Sequence, residues 1–389
     1  MALNGLKTLV LGAGIGGLAV ATCLARRGAD VTVLEQADAI REVGAGLQVS
    51  PNGFVVLEAL GLAPALRDRS VRAQAVRLCD YRGKDVLRLD LGRVGQGDYH
   101  FVHRADLIDM LAEAARAAGV KIRLLQQITD VLPGPRPAVQ LASGAVLEAD
   151  LVVGADGLHS VARKVLNGTL APFFTRQVAW RAVVPLDDTG PAEARVDMGP
   201  LRHVVSYPLR DGRMRNVVAV QERAAWSAES WSQEDDPDAM RAAFADFGPT
   251  VRDLLGRVER VHLWGLFRHP VAPVWHREGV VLLGDAAHPT LPFMAQGACM
   301  ALEDAWALGH MLETGGSLEA ALPAYQAIRQ DRVRKVVDTA SRNAWKYHLS
   351  FPPLRWAAHT VLRTGGALMP ERLAGQFDWI YGYDVTQAG

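Results

Sequence analysis

Short apolar runs, each followed by a glycine loop, mark three places where a buried strand ends. The runs are KTLVL at 7–11, DLVV at 150–153 and GVVLL at 279–283. Strands covered on both faces of a parallel sheet carry such uninterrupted apolar sequence. The first run leads through a glycine-rich loop into LAVATCLARRG, which has helical spacing, and then into the strand VTVLE. The pattern predicts a βαβ unit at the start of the chain.

A second pattern, alternation of apolar and polar residues, predicts antiparallel strands elsewhere. Residues 73–90 predict a hairpin, and RQVAWRAVVP, RHVVSYPL and RNVVAVQ predict three further short strands between 176 and 221. Residues 104–118 have helical spacing. The chain after about residue 340 is also expected to be helical, with breaks at Pro352-Pro353 and Gly365-Gly366.

These patterns indicate an α/β protein with two domains and a tail. The expected Rossmann-like domain is discontinuous because the alternating segments interrupt it, and it comprises residues 1–72, 98–175 and 269–340. The inserted, mostly antiparallel β-sheet domain is expected to comprise residues 73–97 and 176–268. Residues 341–389 are expected to form a C-terminal helical segment.

Composition excludes several classes of function. The 389 residues include 42 Lys+Arg and 42 Asp+Glu, so no net charge favours a nucleic acid partner. No apolar run approaches the roughly 18 residues of a membrane span, and the N-terminus lacks the pattern of a signal peptide. The three cysteines show no paired spacing, and no clear metal-ligand spacing is present. We therefore expect a cytoplasmic protein without stable membrane insertion.

The loop after the first strand, Gly12-Ala13-Gly14-Ile15-Gly16-Gly17, matches GxGxxG. In this motif the first glycine permits a tight turn, here Gly12, and the second, Gly14, permits close approach of a pyrophosphate. Gly17 permits close packing of helix and strand. Glu35 follows the second strand, where a carboxylate can accept hydrogen bonds from ribose hydroxyls. The loop predicts dinucleotide binding.

Two more loops follow buried strands, at Gly154-Ala155-Asp156-Gly157 and at Gly284-Asp285. Either one alone is also compatible with a structural Asx turn. The order of the three motifs resembles that of the class A flavoprotein aromatic hydroxylases, the p-hydroxybenzoate hydroxylase (GR2/PHBH) type, over nearly the whole chain. Within that family, HPTLPFMAQGACMALEDAWALG and WRAVVP are similar to the branch that contains salicylate and 3-hydroxybenzoate hydroxylases.

The resemblance implies a bound FAD, with NADH or NADPH as a transient co-substrate, O2, and a small aromatic substrate. It implies that Glu35 binds the adenosine ribose and that Arg41 and Arg104 lie beside the phosphates or flavin. It also implies that Asp156 contributes to FAD and nicotinamide binding and that Asp285 binds the ribityl chain. A helix starting near Gly297 would direct the backbone N–H groups of Gln296, Gly297 and Ala298 at the flavin edge, where reduced flavin is negative.

The same branch carries an active-site His and, four residues later on a strand, a Tyr. This chain has His203 and Tyr207 at that spacing, and such residues point to one face of a strand. The family reaction passes through a flavin C4a-hydroperoxide, which phenolates attack better than phenols. A histidine can remove the phenolic proton at neutral pH. We therefore expect His203 to be the base and Tyr207 to shape or bind the substrate; an exposed strand histidine and an ordinary sheet aromatic are the alternatives.

Other functions remain open at the level of sequence. A nicotinamide dehydrogenase would explain GxGxxG but not the other two loops, and a flavin-dependent halogenase lacks support because no WxW pattern is present. A flavin-dependent epoxidase or hydroxylase of a larger quinone or polyketide-like substrate is the first alternative. The second is a flavin-binding redox sensor without catalysis. Arg181 and Arg215 are candidates for binding a substrate carboxylate, His288 is expected to order its loop, and the protein is expected to be a monomer or homodimer.

Overall fold

A computed structural model describes residues 3–40, 45–93, 97–169, 171–186, 190–224 and 234–387. Its strands are β1 Lys7–Leu11, β2 Asp30–Leu34, β3 Gly46–Val49, β4 Ser70–Arg72, β5 Ala75–Asp80, β6 Asp85–Asp90, β7 His100–His103, β8 Lys121–Arg123, β9 Ile128–Leu132, β10 Ala138–Leu141, β11 Val146–Glu148, β12 Leu151–Gly154, β13 Phe173–Pro185, β14 Glu193–Gly199, β15 Arg202–Leu209, β16 Met214–Glu222, β17 Glu234–Asp235, β18 Val261–Arg268, β19 His276–Arg277 and β20 Val280–Leu282.

The helices connect and cover these strands. They are α1 Ile15–Ala25, α2 Pro51–Ala59, α3 Ala63–Arg69, α4 Arg104–Ala117, α5 Val161–Asn167, α6 Pro237–Ala243, α7 Pro249–Gly256, α8 Gly297–Thr314, α9 Leu318–Asn343, α10 Pro352–Leu368, α11 Pro370–Gly375 and α12 Asp378–Tyr381. Short 3-10 turns occupy Leu91–Arg93, Gly284–Ala286, Pro292–Met294 and Ala344–His348. No helix in these described ranges is both long and apolar enough to cross a membrane.

The predicted βαβ unit is part of a six-stranded sheet. Its strand order is β19-β20-β12-β1-β2-β8, and every neighbouring pair is parallel except β19 with β20. The three apolar runs of the sequence form the adjacent strands β20, β12 and β1, which are buried. Helix α1 contacts β1, α5 contacts β12 and β20, and α8 packs on α1. The predicted α/β fold with a mostly parallel sheet is thus confirmed.

The second sheet has eight strands in the order β17-β18-β13-β16-β15-β14-β5-β6. It contains the predicted hairpin of β5 and β6 at one edge, joined to the rest by the parallel pair of β14 and β5. All other neighbouring strands are antiparallel, and α6 and α7 cover one face with Met240, Phe244 and Leu255. The opposite face is turned toward the nucleotide-binding part of the protein. The exact domain boundaries predicted from the sequence stay a prediction.

One expectation for the C-terminal segment was wrong. Gly365-Gly366 does not break the helix but lies inside α10, whereas Pro352-Pro353 starts it. A Cβ atom on Gly366 would come within 2.5 Å of the Leu87 Cδ1 atom. The glycine therefore permits α10 to pack closely on β6, which the sequence pattern alone could not reveal.

Candidate active site

The three glycine loops lie side by side at one edge of the parallel sheet. They follow the carboxyl ends of β1, β12 and β20, and the loops are joined to neighbouring strands through backbone hydrogen bonds. Ala155 donates to the Leu11 carbonyl (3.0 Å), and Leu283 donates to the Gly154 carbonyl (3.0 Å). Ligands of open α/β sheets bind at this carboxyl edge. Segments far apart in the sequence thus converge on one potential nucleotide site.

The three glycines of the first loop have different surroundings. Gly12 has φ +97°, and a Cβ on Gly17 would lie 2.0 Å from the Gly12 carbonyl oxygen, so neither position accommodates a side chain. No heavy atom lies within 4 Å of a Cβ built on Gly14. The backbone beside Gly14 therefore borders open space at the start of α1, where a pyrophosphate could approach.

The two acids near this loop have ordered positions. Glu35 accepts hydrogen bonds from the backbone N–H groups of Ala13 (2.8 Å) and Ala37 (2.9 Å), so it lies against the glycine loop. Asp156 accepts hydrogen bonds from Ser160 Oγ (2.5 Å) and the Val161 N–H (2.7 Å) at the start of α5. Burial raises the pKa of Asp156. Both carboxylates are held by the backbone at the carboxyl edge of the sheet.

Asp285 and Arg104 lie near enough for each to influence the ionisation of the other. Asp285 is accessible to solvent. Burial nevertheless raises the pKa of its carboxyl group, although His288 and Arg104 act in the opposite direction. Burial also lowers the pKa of Arg104, and Asp285 opposes that shift. A carboxylate that is accessible to solvent and yet surrounded by protein atoms lies in an internal cleft. Arg41, which the resemblance placed nearby, lies outside the described residues.

A cluster of buried charges supports the Gly284-Asp285 loop from behind. Asp304 accepts a hydrogen bond from the Gly284 N–H (2.9 Å) and contacts His288 Nε2 (2.5 Å). Arg329 forms ion pairs with Asp304 (2.8 Å) and Glu303 (2.6 Å). Burial opposes ionisation of Asp304, but His288 and Arg329 outweigh it and lower its pKa to about 2. We call Glu303, Asp304, Arg329 and His288 the charged cluster; it positions His288 to order the loop, as the sequence analysis expected.

The helix α8 begins at Gly297, as expected, with its first turn beside this cleft. The Gln296 side chain does not face the cleft, because it donates to Ser50 Oγ (2.9 Å) and accepts from Asn52 Nδ2 (2.9 Å). Any contact of Gln296 with a ligand would therefore use its backbone. Gly297 and Ala298 would also contact a ligand through the backbone, because neither residue has a polar side-chain atom.

The free face of the eight-stranded sheet presents the second half of the cleft. The strand register places His203 beside Val220 and Ala179, Val205 beside Val218 and Arg181, and Tyr207 beside Asn216 and Val183. Leu291, from the loop that follows Asp285, packs on Ala179 and Val220. The loop after β20 thus packs directly against this face of the sheet.

His203 is fully buried in this face, with 1% of its surface exposed, so the alternative of an exposed strand histidine is wrong. Its Nδ1 atom lies 2.6 Å from His348 Nε2, and His348 Nδ1 lies 2.8 Å from Glu222 Oε1. The rings of Phe293 and Tyr347 contact it at centroid distances of 5.9 and 5.3 Å. Burial lowers the pKa of His203 well below its usual value, and His348 adds to that shift.

Tyr207 lies on the same face as His203 but in another cluster. Its ring packs on Phe101 at a centroid distance of 5.0 Å, and burial raises the pKa of its hydroxyl. Gln48 accepts a hydrogen bond from the Tyr99 hydroxyl (2.7 Å) at the edge of this aromatic group. One face therefore carries a buried histidine and a group of phenolic side chains.

The two candidate arginines lie on opposite faces of the sheet. Arg181 shares the face of Tyr207 and stacks on Trp264, with its guanidinium carbon 4.3 Å from the ring centroid. Its Nε atom is buried without a hydrogen-bond acceptor from any residue that the structure describes, and burial lowers its pKa to about 10. Arg215 pairs with Val184 and Pro208 on the face covered by α6 and α7. Arg181, unlike Arg215, therefore lies on the sheet face that carries His203 and Tyr207.

Sequence reasoning missed His348, Glu222 and three members of the charged cluster, namely Glu303, Asp304 and Arg329. His203 and His348 are 145 positions apart, and Gly284 and Asp304 belong to different elements. No local pattern links such pairs, although Tyr347-His348 in an otherwise helical region is a possible signal. Among the described residues, no group of three or more His, Cys, Asp or Glu is placed to hold a metal ion.

Comparison with known proteins identifies the family. A family model described as an FAD binding domain matches residues 5–340. The 3-amino-4-hydroxybenzoate 2-monooxygenase PtnB3 of Streptomyces platensis is 35% identical to this chain, over 98% of this chain and 97% of its own. The chain belongs to the FAD-dependent aromatic hydroxylases. The 3-hydroxybenzoate 6-hydroxylase of Klebsiella oxytoca is 31% identical, over 97% of both chains.

Solved structures of this flavoprotein family agree with the fold. Klebsiella pneumoniae HpxO, complexed with FAD and uric acid, matches with a TM-score of 0.83 and 26% identity over 95% of both chains. The residues present fit FAD: the backbone at Gly14 borders open space, Asp285 is exposed, and α8 begins at Gly297 with the free N–H groups of a helix start, which suit an anion. The chain is thus an FAD-dependent aromatic monooxygenase, as the sequence motifs predicted.

Proposed function

We propose that this flavoprotein hydroxylates a small phenolic acid of the salicylate or 3-hydroxybenzoate class, with NADH or NADPH as reductant and O2 as oxidant. The observation that carries the proposal is the buried His203, which contacts Phe293 in the loop after Asp285 and lies on the free face of the sheet. The names of the relatives support this class, because their substrates are hydroxylated benzoates and 6-hydroxynicotinate.

FAD would be held by the three glycine loops and by the acidic residues at the carboxyl edge of the parallel sheet. Its proposed contacts are Gly12, Gly14, Gly17, Glu35, Arg41, Arg104, Asp156, Asp285, Gln296, Gly297 and Ala298. Glu35 would bind the ribose, Asp285 the ribityl chain, and the first turn of α8 the flavin edge that becomes negative on reduction. Bound FAD, once reduced, would supply the activated oxygen from O2.

His203 would take the proton from the substrate hydroxyl at its Nε2 atom, because Nδ1 is engaged with His348. A phenolate is the more reactive form of the ring, so proton removal is the contribution of the protein to the reaction. Tyr207 would shape the pocket or bind the substrate. Aromatic walls from Phe293 and Tyr347 exclude water from the base and fix its ring plane.

Arg181 would bind the substrate carboxylate. Three observations support this role: Arg181 lies on the same sheet face as His203, its Nε has no acceptor among the described residues, and burial lowers its pKa to about 10. A carboxylate would supply the missing acceptor and the opposite charge. The proposed substrate is therefore a phenolic acid rather than a neutral phenol.

The protein is proposed to be cytoplasmic, as a monomer or homodimer, with residues 1–72, 98–175 and 269–340 binding FAD. Residues 73–97 and 176–268 would form the substrate domain and 341–389 the helical segment. Cys23, Cys79 and Cys299 are all buried free thiols, which suits a reducing compartment.

A screen of salicylate, 3-hydroxybenzoate and 3-amino-4-hydroxybenzoate tests the proposal, with NADH consumption and product mass as readouts. We expect at least one acid to accelerate NADH oxidation and to gain one oxygen atom. The matching phenols without a carboxylate are the control and should act weakly. Product from a larger quinone but from none of the acids would assign the enzyme to another substrate class. Flavin without any product would indicate a redox sensor.

A further inference from the structure

The side chains of His203, His348 and Glu222 form a continuous chain from the pocket to the surface. The two joining distances are 2.6 Å between the imidazoles and 2.8 Å from His348 to the carboxylate. His203 and His348 are 1% and 3% exposed, whereas the Glu222 side chain is 35% exposed. The chain therefore connects a buried base to solvent without passing through the cleft.

The Glu222 carboxylate, at the outer end of this row of side chains, determines which nitrogen of each imidazole carries the hydrogen. An ionised carboxylate only accepts hydrogen bonds, so Glu222 requires His348 to carry its hydrogen on Nδ1. Neutral His348 then accepts at Nε2, which requires His203 to carry its hydrogen on Nδ1. The lone pair of His203 is consequently on Nε2, the nitrogen that is not engaged with His348. Glu222 thus fixes the tautomer of a base that it does not touch.

We propose that His348 and Glu222 are the relay by which the substrate proton leaves His203 for solvent. The substrate O–H bond breaks as a bond from hydrogen to His203 Nε2 forms. The His203 Nδ1 hydrogen moves to His348 Nε2, and the His348 Nδ1 hydrogen moves to Glu222, which exchanges with water. When the product takes a proton back, the reverse movement restores the starting tautomers, so no other reactant is required.

The surroundings favour transfer over storage of the proton. Burial lowers the pKa of His348, opposed by Glu222, and lowers the pKa of His203 further still, so neither ring retains a positive charge well. Met198 on the neighbouring strand β14 lies opposite His203, and the ring of Tyr347, the residue before His348, contacts the His203 ring. Glu222 is the carboxylate that contacts this pair of rings within the described residues. It is the available exit for the proton.

The relay rests on the proposed function, because it assumes that His203 deprotonates a bound phenol. The test uses FAD-loaded protein without nicotinamide, mixed rapidly with salicylate or 3-hydroxybenzoate in weak buffer containing a pH-indicator dye. Proton release and phenolate absorbance are followed together. We expect Glu222→Gln and His348→Gln to slow proton release at least about tenfold while the dissociation constant changes less than about threefold. Glu222→Asp should restore much of the rate, and His203→Asn should abolish release.

Glu234→Gln is the matched control, since it makes the same change in β17 of the same sheet, three strands away from β16. It should behave as the wild type. If His348→Gln fails to fold, Glu222→Gln still decides, because that side chain is partly exposed. Release that is lost in His203→Asn but unchanged in Glu222→Gln and His348→Gln would overturn the relay and leave the proposed function intact. A wild-type protein that deprotonates neither acid would overturn both.

Discussion

Two groups of ionisable side chains differ in how their charges are balanced: the charged cluster behind the Gly284-Asp285 loop, and the group of Asp285, Arg181 and His203. In the charged cluster every ion has an opposite partner, so the pKa of Asp304 is lowered to about 2 although burial opposes this. In the cleft, burial dominates: it lowers the pKa of Arg181 to about 10, raises that of Asp285 and lowers that of His203.

The contrast indicates which charges serve the fold and which serve a ligand. Removing one partner of an ion pair that is buried inside a protein strongly lowers the stability of the fold. Ions whose pKa shifts toward the neutral form are not compensated by the protein, and such groups collect at functional sites. The following changes are ordered from the largest expected effect on this comparison to the smallest.

Removing one member of the charged cluster should be the most destabilising change. Arg329→Met leaves Glu303 and Asp304 buried with one fewer cation, so we expect a loss of about 3–5 kcal/mol in the free energy of unfolding. Chemical denaturation monitored by circular dichroism measures it. The control is Arg334→Met, which removes an exposed ion pair with Asp331 on the same helix and should cost less than about 1 kcal/mol. Equal losses in the two variants would contradict the distinction.

The charged cluster should also make the protein sensitive to acid. The folded pKa of Asp304 is about 2, below its usual value of 3.8. The stability that this carboxylate contributes is therefore complete above about pH 4 and is lost as the pH falls toward 2. The difference corresponds to roughly 2–3 kcal/mol. Unfolding measured from pH 5 to pH 2 should show this decline in the wild type and a shallower one in Asp304→Asn.

Arg181→Met should weaken substrate binding and leave the stability nearly unchanged, whereas Arg329→Met should mainly lower the stability. Because the cation is poorly compensated, its removal should leave the free energy of unfolding of the FAD-loaded protein within about 1 kcal/mol of the wild-type value. The KM for the phenolic acid should rise about 10- to 100-fold, as expected for loss of a hydrogen bond to a charged group.

Arg215→Met supplies the control for Arg181, since it changes the same residue type on the covered face of the same sheet. Its KM should match that of the wild type. A strong loss of stability in Arg181→Met, without any change in KM, would place Arg181 among the structural charges instead.

The smallest expected effect is a change in pH dependence. His203 has a lowered pKa, so below about pH 6.5 the unfolded chain binds a proton that the folded protein does not. Stability should consequently fall as the pH decreases through this range. Denaturation curves at pH 7.5 and pH 5.5 should show a weaker decline for His203→Gln than for the wild type, and an equal decline would show that His203 is not buried in its neutral form.

The sequence predicted the parts of the site that depend on short segments. A glycine loop between a buried strand and a helix has local requirements, seen in the φ of Gly12 and the close approach at Gly17. The order of three such loops then predicted the fold and the flavin. His203 and Tyr207 came from the resemblance to the hydroxylase branch, and their i, i+4 spacing on a strand predicts that they share a face.

Contacts between distant segments could not be predicted. His348 reaches His203 from a turn after α9, and Arg329 reaches Asp304 from α9 to α8. Gly366 appeared to be a helix breaker because its role, contact with Leu87, depends on how α10 packs. Charges and glycines in such places have no local pattern, and only the tertiary structure shows what they face.

The coupling of NADH oxidation to hydroxylation tests the central claim most directly. With 3-hydroxybenzoate or salicylate, the account predicts that the FAD-loaded wild type forms nearly one product molecule for each NADH consumed. His203→Asn should retain FAD and continue to oxidise NADH, but product per NADH should fall at least about tenfold. An unchanged ratio in this variant would show that the buried histidine is not the base.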